Sequence, residues 1–209
     1  MRRILLIAGL IIAGMQIAAA QTPLSAAEAE NLRAKIIRTA QNTATVTSDF
    51  VQKKHLDFLE NDVESSGRMY FKSPDLLKWE YTAPFVYGVV FKENKLLVND
   101  DGNKSKVDLA GNKLFRSLND LIAKSVTGDM FDEEEFTMRY FKVGGDYRVD
   151  FYPKRKELNT YIEIFQLTFD GAGAQVTEVK MIEPSADYTH IIFRNRLLNE
   201  KIADSVFNY

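Results

Sequence analysis

The side chains that most often carry chemistry are scarce in this chain. It has two histidines, His55 and His190, and no cysteine. The histidines fall on separate predicted strands, and no cluster of nitrogen or sulfur ligands accompanies either. Zinc sites usually draw three or four such ligands, so the ligand count argues against a metal centre and no cofactor is implied. The acidic run Asp132-Glu133-Glu134-Glu135 could offer oxygen ligands to a cation. Placed just ahead of a strand beginning at Phe136, it reads instead as a solvated turn or an opening helical turn. Asn99-Asp100-Asp101-Gly102-Asn103 is faintly like the start of a calcium loop. It lacks the spaced acids and the distal glutamate in register, and it reads as a hairpin turn. No serine sits in a nucleophile elbow, and Ser66-Gly67 is a turn–strand junction. Acidic pairs are too plentiful to single out two glycosidase carboxylates. Catalysis has no positive support in these residues, and the expectation is that the chain is not an enzyme.

Aromatic and aliphatic side chains are the conspicuous population. There are 14 Phe, 9 Tyr and 1 Trp. At the two-residue spacing of one strand face they form Leu77, Trp79 and Tyr81, with Phe50, Met69 and Phe71 on neighbouring segments. Val89 and Phe91 continue the series, followed by Phe151, Phe165 and Phe193. Such a face can fill a core or line a cavity, and periodicity alone favours the filled core.

The elements that must position these residues are mostly short strands. Ser25 and Glu28 have the spacing of a capping box. Ala29, Leu32, Ile36 and Ala40 follow at helical spacing, which predicts one helix ending near Thr43. The period then changes to two, beginning with Val46, Ser48 and Phe50. Turns at Ser73-Pro74-Asp75, Ala83-Pro84 and Asp100–Asn103 punctuate the strands that follow. A second helix is predicted in the middle, with Leu114, Phe115, Leu118, Leu121 and Ile122 on one face and a stop at Gly128. Hairpins resume from Phe136 onward. Ten or eleven strands without β-α-β alternation argue against a parallel sheet. The expected fold is mainly β (α+β): a single curled antiparallel sheet forming an incomplete barrel, since large sheets must curl or split. The N-terminal and central helices would cover its concave face.

Residues 1–20 combine Met1-Arg2-Arg3, an apolar run from Ile4 to Met15, and Ala18-Ala19-Ala20. That is the pattern of a cleavable secretory signal, and the run is shorter than the roughly 20 residues that span a bilayer. Residues 21–209 are expected to form one exported, periplasmic domain. Loss of two leader arginines would take the formal net charge from −2 to −4. A mildly acidic chain is poorly suited to nucleic acid, which requires clustered Lys and Arg. Without cysteine the domain must rely on its core rather than on disulfides, and no acyl chain can be attached after the leader. A monomer is expected.

The order of these elements resembles the periplasmic outer-membrane lipoprotein carrier family, LolA. Phe50-Val51-Gln52 follows the first helix like that family's F-x-Q strand. Gly67-Arg68-Met69-Tyr70-Phe71-Lys72-Ser73-Pro74 is similar to its G-x-L-x-x-K-R-P segment. Leu77-Lys78-Trp79-Glu80-Tyr81-Thr82-Ala83-Pro84 is similar to its F-x-W-x-x-x-x-P. Residues 67–84 carry the most specific part of the match, and the order of elements extends it over nearly all of residues 21–209.

The resemblance implies a half-barrel with an apolar cavity lined by Phe50, Met69, Phe71, Leu77, Trp79, Tyr81, Val89, Phe91, Phe151, Phe165 and Phe193. It implies a helical lid carrying Leu32, Ile36, Leu118, Leu121 and Ile122. The implied cargo is lipoprotein acyl chains, received from an inner-membrane lipoprotein-releasing ABC transporter and passed to an outer-membrane acceptor. The chain departs from the family at Ser73, where the best-known members have an arginine that bonds the lid. Serine offers no comparable set of donors. Either another group, such as Arg68 or Lys72, closes the lid, or the lid is looser. The Glu93-Asn94 turn also lacks the usual glycine. The departure leaves a second reading open, a periplasmic binding or sensor protein of the same fold for a free lipid, glycolipid or pigment precursor.

Overall fold

The computed structural model describes residues 21–92, 95–108, 124 and 128–209. Leu118, Leu121 and Ile122, the rest of the predicted central helix apart from Lys124 and its stop at Gly128, the leader and the Glu93-Asn94 turn lie outside the described residues.

The first helix, α1 (Ala26–Gln41), begins with the capping box read from the sequence. The Glu28 amide donates to the Ser25 hydroxyl at 3.4 Å, and the Ser25 amide donates to the Glu28 carboxylate at 2.9 Å. This satisfies two amide groups that a helix start otherwise leaves open. Leu32 and Ile36 are the buried stripe. Past the middle of the chain, the Gly128 amide donates to the Lys124 carbonyl at 2.9 Å, and Gly128 has φ of +81°. That is helix-terminus geometry, at the stop expected from the sequence. A Cβ at Gly128 would come within 3.0 Å of the Ala40 side chain, so the glycine allows close approach to α1.

The described residues form twelve strands, all but the first on period-two signals: β1 (Gln21–Pro23), β2 (Thr45–His55), β3 (Val63–Lys72), β4 (Leu76–Ala83), β5 (Tyr87–Lys92), β6 (Lys95–Asp100), β7 (Asn103–Asp108), β8 (Phe136–Val143), β9 (Asp146–Pro153), β10 (Ile164–Phe169), β11 (Val176–Ile182) and β12 (Tyr188–Leu198). The strand not expected is β1, three residues long and too short to show a period. A one-turn helix, α2 (Lys156–Asn159), follows β9, and a 3-10 turn spans Asp204–Phe207.

All strands join one antiparallel sheet in the spatial order β1-β8-β9-β10-β11-β12-β2-β3-β4-β5-β6-β7. The terminal strands do not pair with each other, so the sheet curls without closing. Register lines up its inner face. Val46, Phe71, Leu77, Phe91 and Leu96 stand in one row across five strands. Tyr140, Val149, Leu167, Val179 and Ile191 form a row on the other half. Leu32 and Ile36 of α1 belong to the same apolar core as these rows, Leu96 excepted.

The convex face carries a second, smaller core. Val90, Ile202 and Phe207 are buried there, with Tyr70, Leu76, Leu97 and Tyr209 packed around them. Lys78 points to this side, its Nζ 5.0 Å from the Tyr209 ring centroid and 2.8 Å from the Glu80 carboxylate. A Cβ at Gly88 would overlap the Tyr209 hydroxyl, so the glycine makes the seat for the tail.

Candidate ligand cavity beneath the first helix

The inner face and the C-terminal half of α1 enclose a cavity of about 80 Å³. Ile36, Thr39, Ala40 and Thr43 bound it on the helix side, at the three- and four-residue spacing that shares one helical face. Val46, Ser48, Met69, Leu77 and Trp79 supply one wall, and Val179, Met181, Ile191 and Phe193 the other. The β10–β11 loop closes the end with Ala174 and Gln175.

Two polar side chains in this wall, Ser48 and Arg196, are engaged by the backbone or by another side chain. The Ser48 hydroxyl lies 2.8 Å from both the Asp49 and Arg194 carbonyls. Arg196 donates to the Val176 carbonyl at 2.7 Å and to the Asp170 carboxylate at 3.2 Å. What remains is a surface for hydrocarbon. Trp79 packs edge-on to Phe50 with centroids 5.0 Å apart and tilts over Phe193 at 5.9 Å. Among the described residues its buried indole N–H has no hydrogen-bond partner.

Of the aromatic and aliphatic series read from the sequence, Met69, Leu77, Trp79 and Phe193 stand on the cavity wall. Phe50, Phe71, Phe151 and Phe165 are fully buried around it, and Tyr81, Val89 and Phe91 are half-buried against the same core. Ile36 faces the cavity, whereas Leu32 lies in the core beside it. Sequence reasoning had not singled out Thr39, Thr43, Val179, Met181 or Ile191 for the cavity. The helical spacing of the first two and the alternation of the other three were visible, but nothing in one dimension separates a cavity wall from filled core.

α1 is tied down from two sides. Arg33 donates to the Phe131 carbonyl and the Glu133 carboxylate, each at 2.9 Å. On the other side Lys35 donates to the carbonyls of Gly171 and Ala172 at 3.1 and 2.8 Å, and Thr39 to that of Gly173 at 2.9 Å. Ser73 is exposed, and its amide donates to the Ala44 carbonyl at 2.8 Å, just past the helix. Neither alternative considered for closure makes a hydrogen bond to α1. Arg68 donates to Asp49 at 3.2 Å, and Lys72 donates to Asp204 at 2.5 Å. Burial pushes the Tyr140 phenol, near Arg33 and Glu133, up to about 12.

The other candidate chemistry resolves into structural contacts. His55 Nδ1 lies 2.7 Å from Asp62, and His190 Nε2 lies 3.0 Å from Glu178. The hydrogen bond from His190 holds the Glu178 carboxyl below its ordinary range. Asp132 accepts the amides of Glu134 and Glu135 at 2.8 and 3.3 Å, as an acidic turn does. Asn99 accepts the Gly102 amide at 2.9 Å in the expected hairpin turn. Among the described residues no group of three or more potential metal ligands comes together, and no helix is long and apolar enough to cross a membrane.

Comparison with known proteins places this geometry. The model of the outer membrane lipoprotein carrier protein LolA matches residues 41–209. No curated protein sequence matches the chain. Among solved structures, an uncharacterized conserved protein from Thermus thermophilus aligns with a TM-score of 0.52 and 8% identity, over 87% of this chain and 93% of that one. A LolA superfamily protein from Nitrosomonas europaea aligns at 0.45 and 9% identity, over 87% and 97%. The MucA/MucB complex of Pseudomonas aeruginosa aligns at 0.49 and 10% identity, over 87% of this chain and 61% of the matched chain. With its family match over more than half its length and its unclosed twelve-stranded sheet, the chain belongs to the LolA outer membrane lipoprotein carrier family.

Proposed function

We propose that residues 21–209 act in the periplasm as a carrier that takes the acyl chains of lipoproteins between the sheet and α1. In this reading the chain is a binding protein rather than an enzyme, receives cargo from an inner-membrane releasing transporter and yields it to an outer-membrane acceptor. The observation that carries it is an apolar cavity lying directly under a helix held by hydrogen bonds at its flanks. An empty cavity of about 80 Å³ is smaller than the roughly 150 Å³ that admits a benzene ring. A long acyl chain therefore requires α1 to move away. At about 0.8 kcal/mol for each buried methylene, one chain carries on the order of 10 kcal/mol of aversion to water. A carrier must offset part of this and still release its load, which a small cavity under a displaceable helix provides.

The single tryptophan, Trp79, stands on the cavity wall and reports occupancy directly. Titration with a diacylated lipopeptide should shift its emission to the blue and keep the lipopeptide soluble. The deacylated peptide should do neither. If acylation makes no difference, the carrier reading fails. Native mass spectrometry of the isolated protein discriminates the cargo, since a co-purifying free lipid, glycolipid or pigment precursor would instead favour a sensor or binding protein of the same fold.

A further inference from the structure

The end of the sheet opposite Val46 and Leu77 has a different surface. Because β2 and β4 run the same way, with β3 antiparallel between them, the β2–β3 and β4–β5 loops emerge at one end. The cavity's boundary residues Val46, Leu77 and Ala174 belong to the other end, and Met181, opposite Thr189 and through it Lys54, is the lining residue nearest to these loops. The eleven residues of β2 separate the two ends, roughly 30 Å at the rise of a strand.

At the remote end lie Phe58 (79% exposed), Leu59 (38%), Val63 (46%), Phe85 (58%) and Val86 (57%). They are five of the eight exposed large hydrophobic residues among those described. Single exposed apolar residues are ordinary, whereas a gathered set marks an interaction site. The loops bearing them are held in place. The Leu59 amide donates to the Leu56 carbonyl at 2.8 Å, the Asp57 amide to the Asp187 carboxylate at 2.8 Å, and the Asp101 amide to the Val86 carbonyl at 3.2 Å. Loops fixed before contact lose less entropy on binding.

The charges around these side chains select the occupant. His55 pairs with Asp62, Lys53 with Glu64, and Lys54 with Glu183. Asp57, Glu60, Asp100 and Asp101 have no cationic partner among the described residues. The base next to them in the sheet's register is Lys104, opposite Asn99. An anionic membrane surface attracts basic segments and disfavours this one. A second copy of the chain would bring the same carboxylates against themselves. A protein offering an apolar pocket rimmed by Lys and Arg is complementary on both counts.

We infer that the β2–β3 and β4–β5 loop end is a docking surface for such a basic-rimmed protein partner. Contact there leaves the C-terminal half of α1 and the Val46 and Ala174 end of the cavity uncovered, so a partner can hold the molecule while the cavity loads or empties. The surface does not depend on what the cavity carries.

The test uses the full chain in the cells that make it, with a photo-crosslinking amino acid in place of Phe58 or Phe85. The control position is Leu197, which is 55% exposed and on the terminal part of β12 near the cavity end. Phe58 and Phe85 probes are expected to trap the same single protein, and the Leu197 probe is not. Identification of that protein should show Lys and Arg around the trapped contact. Paired Glu60→Lys and Asp101→Lys substitutions should lower the yield at least tenfold, with the circular dichroism of the purified variant unchanged. A crosslink to lipid, to a second copy, or to a protein indifferent to the charge reversal would overturn the inference. So would no crosslink at all.

Discussion

Thr39 donates its hydroxyl to the Gly173 carbonyl at 2.9 Å, which fastens the cavity side of α1 to the β10–β11 loop. Lys35, one turn earlier, fastens the same loop through Gly171 and Ala172. The pairing of Lys35→Met with Thr39→Val keeps side-chain bulk but removes these bonds. Each such bond is worth about 1 kcal/mol net, so the double variant should lose about 1–3 kcal/mol in urea unfolding. Amide exchange in α1 should quicken, and the Trp79 signal should respond faster to lipopeptide. Slower uptake would show that these bonds do not restrain the lid.

The wall opposite α1 can be filled without disturbing the ties. Val179 is buried on the cavity surface, and Val179→Phe places a ring where hydrocarbon is proposed to go. Small-to-large changes cost about 1–3 kcal/mol in a full core and less where space exists. The expected result is a stability change within about 1.5 kcal/mol and lipopeptide affinity at least tenfold weaker. Equilibrium unfolding and fluorescence titration measure the two separately.

Gly67 sits between Phe50 and Tyr81 in the cross-strand row, and those rings meet at 5.1 Å, nearly perpendicular, past the missing side chain. A Cβ there would strike the Glu80 carbonyl. Even Gly67→Ala should therefore destabilise the protein by at least about 2 kcal/mol. Gly144→Ala is a useful contrast, because nothing lies near its Cβ and only the positive φ opposes it. Chemical denaturation should rank Gly67→Ala as the more damaging of the two.

Burial raises the phenols of Tyr140 and Tyr209 to about 12. In the unfolded chain both titrate near 10. Between those values the unfolded state has lost protons that the folded state keeps, so stability falls as pH rises from about 10 to about 12. Phenolate absorbance should show this pair titrating late in the native protein, along with Tyr81, which burial also raises. Tyr140→Phe should remove one member and flatten the alkaline loss of stability. Titration of every tyrosine near 10 would contradict the burial of both side chains.

The sequence exposed most of the architecture because the architecture is periodic. The Ser25–Glu28 box, the Leu32 and Ile36 stripe and the alternation of Leu77, Trp79 and Tyr81 each state their own local structure. The short β1 has no room for a period and was invisible. The cavity was only partly legible for a geometric reason. Whether Leu77 or Phe71 meets empty space depends on how far α1 stands off the sheet, and that distance is set by contacts such as Arg33 with Phe131, almost 100 positions apart. Most of the ties of α1 were missed because they run to backbone carbonyls, which every residue possesses and no motif marks.

An unclosed barrel has a cost of its own. Its sheet ends on β1 and β7 rather than on each other, and a bare strand edge invites pairing with any other extended chain. Here one end is a strand of three residues, too brief to template a partner. The other, Asn103–Asp108, places Lys104 and Lys106 two apart, where a docking strand would have to bury or repel them. The open seam is thus compatible with life at high concentration, because the same chain discourages its own polymerisation along it.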